Sequence, residues 1–168
     1  MRRDKMAHST LLRCFYCAVL TAYTFMALVE KSVLIEHTPE QMFGLVDHVE
    51  HYPLFLPWCG GAECPERTET LTKATLHINY HGITSKFSTE NTKQIPHLMD
   101  IRLTEGPFTH MNGQWRFTPL GPTACKIEFR LQYEFSNQVL EKALGPVFRH
   151  IAESFIESFV NRAKKIYG

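Results

Sequence analysis

The chain has almost no net charge, no cysteine framework and no glycine loop of the phosphate-cradling kind, and each lack removes a class of function. Lys and Arg number 18 against 17 Asp and Glu, so the formal charge is +1. A domain so balanced has no bulk attraction for nucleic acid or anionic lipid. Direct DNA binding is therefore not expected, and any such partner would need a local basic patch. The five cysteines (Cys14, Cys17, Cys59, Cys64 and Cys125) are odd in number and irregular in spacing, which is no disulfide framework. Cys14-x-x-Cys17 has redox or metal spacing but lacks a second pair. Nine His are scattered. His48 and His51 can meet across one helical turn, but no third ligand stands at sensible spacing, so no metal site is expected. No G-x-S-x-G elbow or Walker-type loop is present. No catalytic residues are expected, and the chain is not read as an enzyme.

Long apolar runs are also missing. Cys14 to Val29 is free of charge for 16 residues, short of the roughly 20 that span a bilayer as a helix. With Arg2, Arg3, Lys5 and Arg13 before it, this run has the outline of a secretory signal. Thr21, Tyr23 and Thr24 dilute it, and no small-x-small cleavage site follows. Residues 1–25 are accordingly read as an extension, either a start assigned upstream of Met26 or a weak targeting segment. The domain is placed at 26–168. Without the extension the chain carries 14 basic and 16 acidic residues.

What the chain does have is large apolar side chains. It holds twelve Phe, six Tyr and two Trp in 168 residues, and 44% of it is hydrophobic. That is core material for one domain, with some to spare for an apolar cavity. Val29 to Glu36 reads as a first strand. Thr38-Pro39-Glu40-Gln41 then carries a capping box with proline at the first helical position. Met42, Phe43, Leu45, Val46 and Val49 form the apolar face of the helix it starts. His51 to Trp58 (HYPLFLPW) holds two prolines, which leave room only for a turn or helical fragment.

From Ala62 to Phe135 the pattern is roughly six strands with short breaks. Leu71 to Tyr80 places Thr72, Ala74, Leu76, Ile78 and Tyr80 on its more apolar side. His81-Gly82 turns it into a return strand, Ile83 to Lys93. Leu98 to Glu105 follows, then a loop opened by Gly106-Pro107, with Gln114 to Phe117 resuming the sheet. Ala124 to Phe135 alternates most cleanly: Cys125, Ile127, Phe129, Leu131, Tyr133 and Phe135 face one way and charged or polar residues the other. One buried and one wet face is the signature of an antiparallel sheet covered on one side.

After Ser136-Asn137 the period changes to 3.6. Leu140, Leu144, Val147, Phe148, Ile151, Phe155, Phe159 and Ala163 recur at helical spacing. Arg162, Lys164 and Lys165 suit the negative end of the helix, and Gly168 stops it. Pro146 is expected to kink or break this helix into a piece of about two turns and one of five or six. A sheet with one apolar face needs a cover, and the long helix supplies it. The expected class is α+β: a curved antiparallel sheet wrapped around a long C-terminal helix, with short helices after the first strand.

Several segments carry a resemblance. Val49 to Cys59 (VEHYPLFLPWC) is similar to the V-x-x-YP-x-FLP-x-C segment of the START-like polyketide cyclase/coenzyme Q-binding family. Glu105 to Leu120 (EGPFTHMNGQWRFTPL) resembles its GPF-x(4)-G-x-W-x-F-x-PL pattern. Tyr133 to Asn137 (YEFSN), Val147-Phe148, Phe159, Arg162-Ala163 and Tyr167 continue the likeness, which covers Met26 to Gly168. Within the family it extends to the bacterial ribosome association toxin proteins, which look similar to the mitochondrial coenzyme Q-binding proteins. The resemblance implies the helix-grip (START-like, SRPBCC) fold, with a tunnel between helix and sheet. Tyr52, Phe55, Trp58, Phe108, Trp115, Phe148, Ile151 and Phe155 lie in segments that would line that tunnel.

Three functions follow as expectations. The first is a non-catalytic protein that binds a hydrophobic small molecule, ubiquinone (coenzyme Q) or another polyprenyl lipid, in support of respiration. It needs no other cofactor. The second is a ribosome association toxin that binds the large subunit and blocks subunit joining. The third is a small cyclase-type enzyme, for which no residue set here asks. Glu105 is read as a strand-end carboxylate and His77 and His81 as solvated strand histidines. The expected location is the cytoplasm, at the periphery of the inner membrane where a quinone is held.

Overall fold

Thr38 starts the first helix in the way its side chain dictates. Its hydroxyl accepts from the Gln41 amide at 3.3 Å, and Gln41 Oε1 accepts from the Thr38 amide at 2.9 Å. Pro39 fills the first turn, where its missing donor costs nothing. The coordinates are a computed structural model that describes residues 26–168, so the expectation for residues 1–25 lies outside the described residues. In order, the elements are β1 (Ala27–Ile35), α1 (Pro39–Asp47), a 3₁₀ helix (Val49–Leu54), β2 (Cys59–Arg67), β3 (Leu71–Tyr80), β4 (Ile83–Gln94), β5 (Leu98–Glu105), β6 (Phe108–Pro119), β7 (Cys125–Phe135) and α2 (Gln138–Tyr167). The short 3₁₀ helix accommodates Pro53, as the proline spacing demanded.

All seven strands form one antiparallel sheet in the order β1-β7-β6-β5-β4-β3-β2. The first strand thus returns to lie beside the last. The β3–β4 hairpin turns on His81 (φ 49°) and Gly82 (φ 80°), both left-handed, which is the backbone a two-residue hairpin loop requires. That turn pairs Tyr80 with Ile83 and carries the register back to Leu71 and Thr92. On β7 the residues from Cys125 to Phe135 alternate buried and half-buried or exposed without a break. The long helix lies across the apolar face of the curved sheet, which is the helix-grip arrangement.

Two expectations need correction. Phe108 to Gly113 is strand, not loop, and the loop shrinks to Gly106-Pro107. A register shift between Phe108 and His110 places the buried Phe108 and Met111 three residues apart, so the period of two is lost where the strand begins. The long helix is also not divided at Pro146; it runs unbroken from Gln138 to Tyr167. Pro146 and Lys142, whose carbonyl loses its donor, are both exposed, so water can take the place of the missing bond. At its start the Asn137 side chain accepts from the Leu140 amide at 2.9 Å. Cys59 and Cys64 both lie on β2, and Cys59 Sγ donates to the Gly61 carbonyl at 3.3 Å.

Candidate functional site

Helix α2 packs closest along β1, β7 and α1. Between it and the middle of the sheet remains an apolar cavity of about 60 Å³. Ala74, Leu76, Phe87, Met99 and Ile101 supply the sheet wall on β3, β4 and β5. Inward alternation of each strand aims these side chains at the helix. Phe148, Ile151, Ala152 and Phe155 close the cavity from α2, one turn apart.

Of the eight residues expected to line this space, six do: Tyr52, Trp58, Trp115, Phe148, Ile151 and Phe155. Phe155 is their hub, with its ring centroid 5.6 Å from Trp115, 5.7 Å from Trp58 and 5.4 Å from Phe129. Tyr52 contributes its ring only. Its hydroxyl donates to the Val46 carbonyl at 2.7 Å, and burial pushes its pKa far above the usual value. The other two stand behind the wall. Phe55 packs edge-on against Tyr52 and Phe159, under the Arg162 guanidinium at 5.5 Å. Phe108 lies behind Phe148, at 4.8 Å, and beside Phe135, at 4.9 Å. Arg162 is thus drawn over an aromatic ring.

Sequence reasoning missed the polar part of the wall. Thr89 and Asn91, both buried on the inward side of β4, line the cavity beside the apolar residues. Next along the same side, Lys93 has a side chain only 1% exposed. Its ammonium lies 3.1 and 3.0 Å from the two carboxylate oxygens of Asp47 at the end of α1. Thr72 donates to the same carboxylate at 2.6 Å. Arg67 approaches Asp47 through Nε at 3.4 Å, donates to its backbone carbonyl at 2.9 Å, and holds Glu50 through both terminal guanidinium nitrogens. Two cations thus face two carboxylates, and the cluster carries no surplus charge. The Arg67 hydrogen bond holds the Glu50 carboxyl down at about 2. The hairpin register was the available signal: with Tyr80 opposite Ile83, Thr72 must face Asn91.

The remaining candidates stay apart. His77 is on the outer face with Glu63, 2.9 Å away. The rings of His48 and His51 stack at 5.7 Å, and among the described residues no three His, Cys, Asp or Glu are grouped to hold a metal. Burial raises the Cys59 thiol and pushes Cys125 up to about 11, which is the reverse of an activated nucleophile. Glu105 is exposed at the end of β5. No helix among the described residues is long and apolar enough to cross a membrane.

Comparison with known proteins places this geometry. The family described as polyketide cyclase / dehydrase and lipid transport matches residues 35–160. The chain belongs to that family. It is 38% identical over 143 residues to the ribosome association toxin RatA of Vibrio cholerae, covering 85% of this chain and 99% of that one. It is 24% identical over 142 residues to the mitochondrial coenzyme Q-binding protein COQ10 homolog B of Xenopus laevis, covering 82% of this chain and 58% of that protein. Among solved structures, the Zhui aromatase/cyclase from a Streptomyces species superposes with a TM-score of 0.73 at 15% identity, over 86% of this chain and 97% of its own. The fold is the START-like helix-grip, and the family resemblance in the sequence is that of the chain's true relatives.

Proposed function

We propose that this protein binds a hydrophobic small molecule between α2 and the sheet without transforming it, and that a polyprenyl quinone such as ubiquinone is the ligand, in support of respiration. The cavity wall carries this reading: aromatic and aliphatic side chains from five strands and α2 converge on one apolar space. Each Å² of ligand surface buried there contributes about 25 cal/mol. The lining holds a single titratable side chain, Tyr52, and its hydroxyl is engaged with Val46. That favours holding a molecule over acid–base chemistry on it, and no cofactor beyond the ligand is required.

The size of the cavity sets a condition. At about 60 Å³ it is well below the ~150 Å³ that accommodates one benzene in an apolar core. A quinone ring can enter only as α2 moves off the middle strands. The reading is tested by extracting the purified protein with organic solvent for mass spectrometry, and by titrating it with short-chain ubiquinone. Recovery of a quinone or lipid, or saturable binding, supports it; an empty extract together with no binding removes it.

A second reading rests on a different observation. The relative named as a ribosome association toxin matches over nearly its whole length at 38% identity. Under this reading the chain associates with the large ribosomal subunit and keeps the subunits apart. Overexpression should then lower the peak of joined ribosomes in a sucrose gradient and raise the free subunits. An unchanged profile excludes it. The two readings are compatible.

A further inference from the structure

Two residues that line the cavity each carry a buried polar atom with no partner. Trp58 Nε1 and Asn91 Oδ1 are fully enclosed and make no hydrogen bond among the described residues, although both side chains line the same apolar cavity. Trp58 is 2% exposed and Asn91 5%. Groups buried this deeply are nearly always hydrogen-bonded, because an unmet donor or acceptor lowers stability. A wall meant only for packing would carry Phe and Leu at these positions. One orphan is an obligate donor, and the other belongs to an amide that can offer either end.

We propose that Trp58 and Asn91 form a head-group subsite for the uncharged oxygen function (phenol, alcohol or quinone carbonyl) of an otherwise apolar ligand. The inference rests on the reading that the cavity holds a hydrophobic molecule. The ligand oxygen accepts from Trp58 Nε1–H. The Asn91 carboxamide accepts from a hydroxyl, or donates to a carbonyl after turning its amide. The neighbouring charges define the class further. Lys93 and Arg67 are matched by Asp47 and Glu50, so neither is free to meet a carboxylate or phosphate. An anionic head would be stripped of water with nothing to replace it.

The test titrates the purified full chain, by calorimetry, with 4-pentylphenol, pentylbenzene and 4-pentylbenzoate. The phenol should bind at least about tenfold tighter than the hydrocarbon, as one well-made hydrogen bond allows, and the benzoate should bind weakest. Trp58→Phe and Asn91→Leu should each weaken phenol binding about five- to tenfold and leave pentylbenzene within about twofold. Asn91→Leu should unfold at the same or a higher temperature without ligand, since it removes an unmet buried amide. A packing role for Asn91 would instead lower that temperature. Equal affinity for phenol and hydrocarbon in the unsubstituted protein overturns the subsite, the orphans then being met by water, and leaves the hydrophobic-ligand reading standing. Tightest binding of the benzoate overturns the uncharged class. Binding of none of the three removes both readings.

Discussion

The two halves of α2 are seated differently. From Phe148 to Ala163 the helix buries Phe148, Ile151, Ala152, Ile156, Phe159 and Ala163. From Gln138 to Val147 no residue is buried: Leu140, Leu144 and Val147 are half covered, and Val139 is 76% exposed. Phe159 meets Tyr52, Phe55, Trp115 and Phe155 at ring distances of 5.1 to 5.4 Å. Beyond it, Tyr167 lies edge-on to His37 at 5.6 Å and its hydroxyl donates to the Gln41 carbonyl at 3.4 Å. At the other end Leu144 and Val147 border a small void next to Phe135. One half anchors the helix by interdigitated rings, while the other could lift with little loss of buried surface. Under the ligand reading proposed above, the way in is from the loosely seated half, which ends at Val147 next to Phe148 at the edge of the cavity.

The largest effect should come from cutting the anchor. Phe159→Ala should destabilise the fold by about 3–5 kcal/mol, against about 1 kcal/mol for Leu144→Ala on the loose half. Urea denaturation measures both, and equal losses would erase the contrast between the halves. Next is the buried ion pair between α1 and β4. Asp47→Ala strands the buried Lys93 and should cost about 3 kcal/mol, while adding Lys93→Met to Asp47→Leu should recover most of it. A double substitution no better than Asp47→Ala would show that the pair is not the cause.

Pro146→Ala sharpens the contrast from the other side. It returns one backbone hydrogen bond to the loose half and should stabilise by about 1 kcal/mol, short of the full helical penalty of proline because the site is exposed. Ligand uptake followed by tryptophan fluorescence should slow accordingly, since Trp58 and Trp115 both line the cavity. Faster or unchanged uptake would place the entry elsewhere. The smallest effect concerns acid. Glu50 is held at about 2 in the fold, against 4.5 ordinarily. Its ion pair therefore stabilises in full above pH 4.5 and is lost as pH falls towards 2. With 38% of the Glu50 side chain exposed, the contribution is under about 1 kcal/mol. Glu50→Gln should flatten the acid limb of stability between those values, and an unchanged limb would assign it to other carboxylates.

Much of the fold could be read in advance because its signals are local. The alternation on β7, the Thr38 capping box, the His81-Gly82 turn and the 3.6 period of α2 each act within a few residues. The misread stretch at Phe108 to Gly113 fails for a local reason too: the register shift at its start breaks the period of two. The site was legible in part. Six of the expected residues line the cavity because the motif segments carrying them converge there, whereas Phe55 and Phe108 differ only in which side of a neighbouring ring they occupy. Thr89 and Asn91 were within reach through the hairpin register, which puts them on the same side as Phe87.

The sequence by itself determined the elements, their order and the apolar face that each presents, since periodicity and capping depend on neighbours one to four positions away. The tertiary structure alone decided the rest. The width of the gap under α2, the pairing of Asp47 with Lys93 at 46 positions' separation and the two unmet polar atoms in the wall all depend on where distant segments come to rest. Whether a buried polar group finds a partner is settled by a few tenths of an ångström between elements, and no local pattern carries that distance.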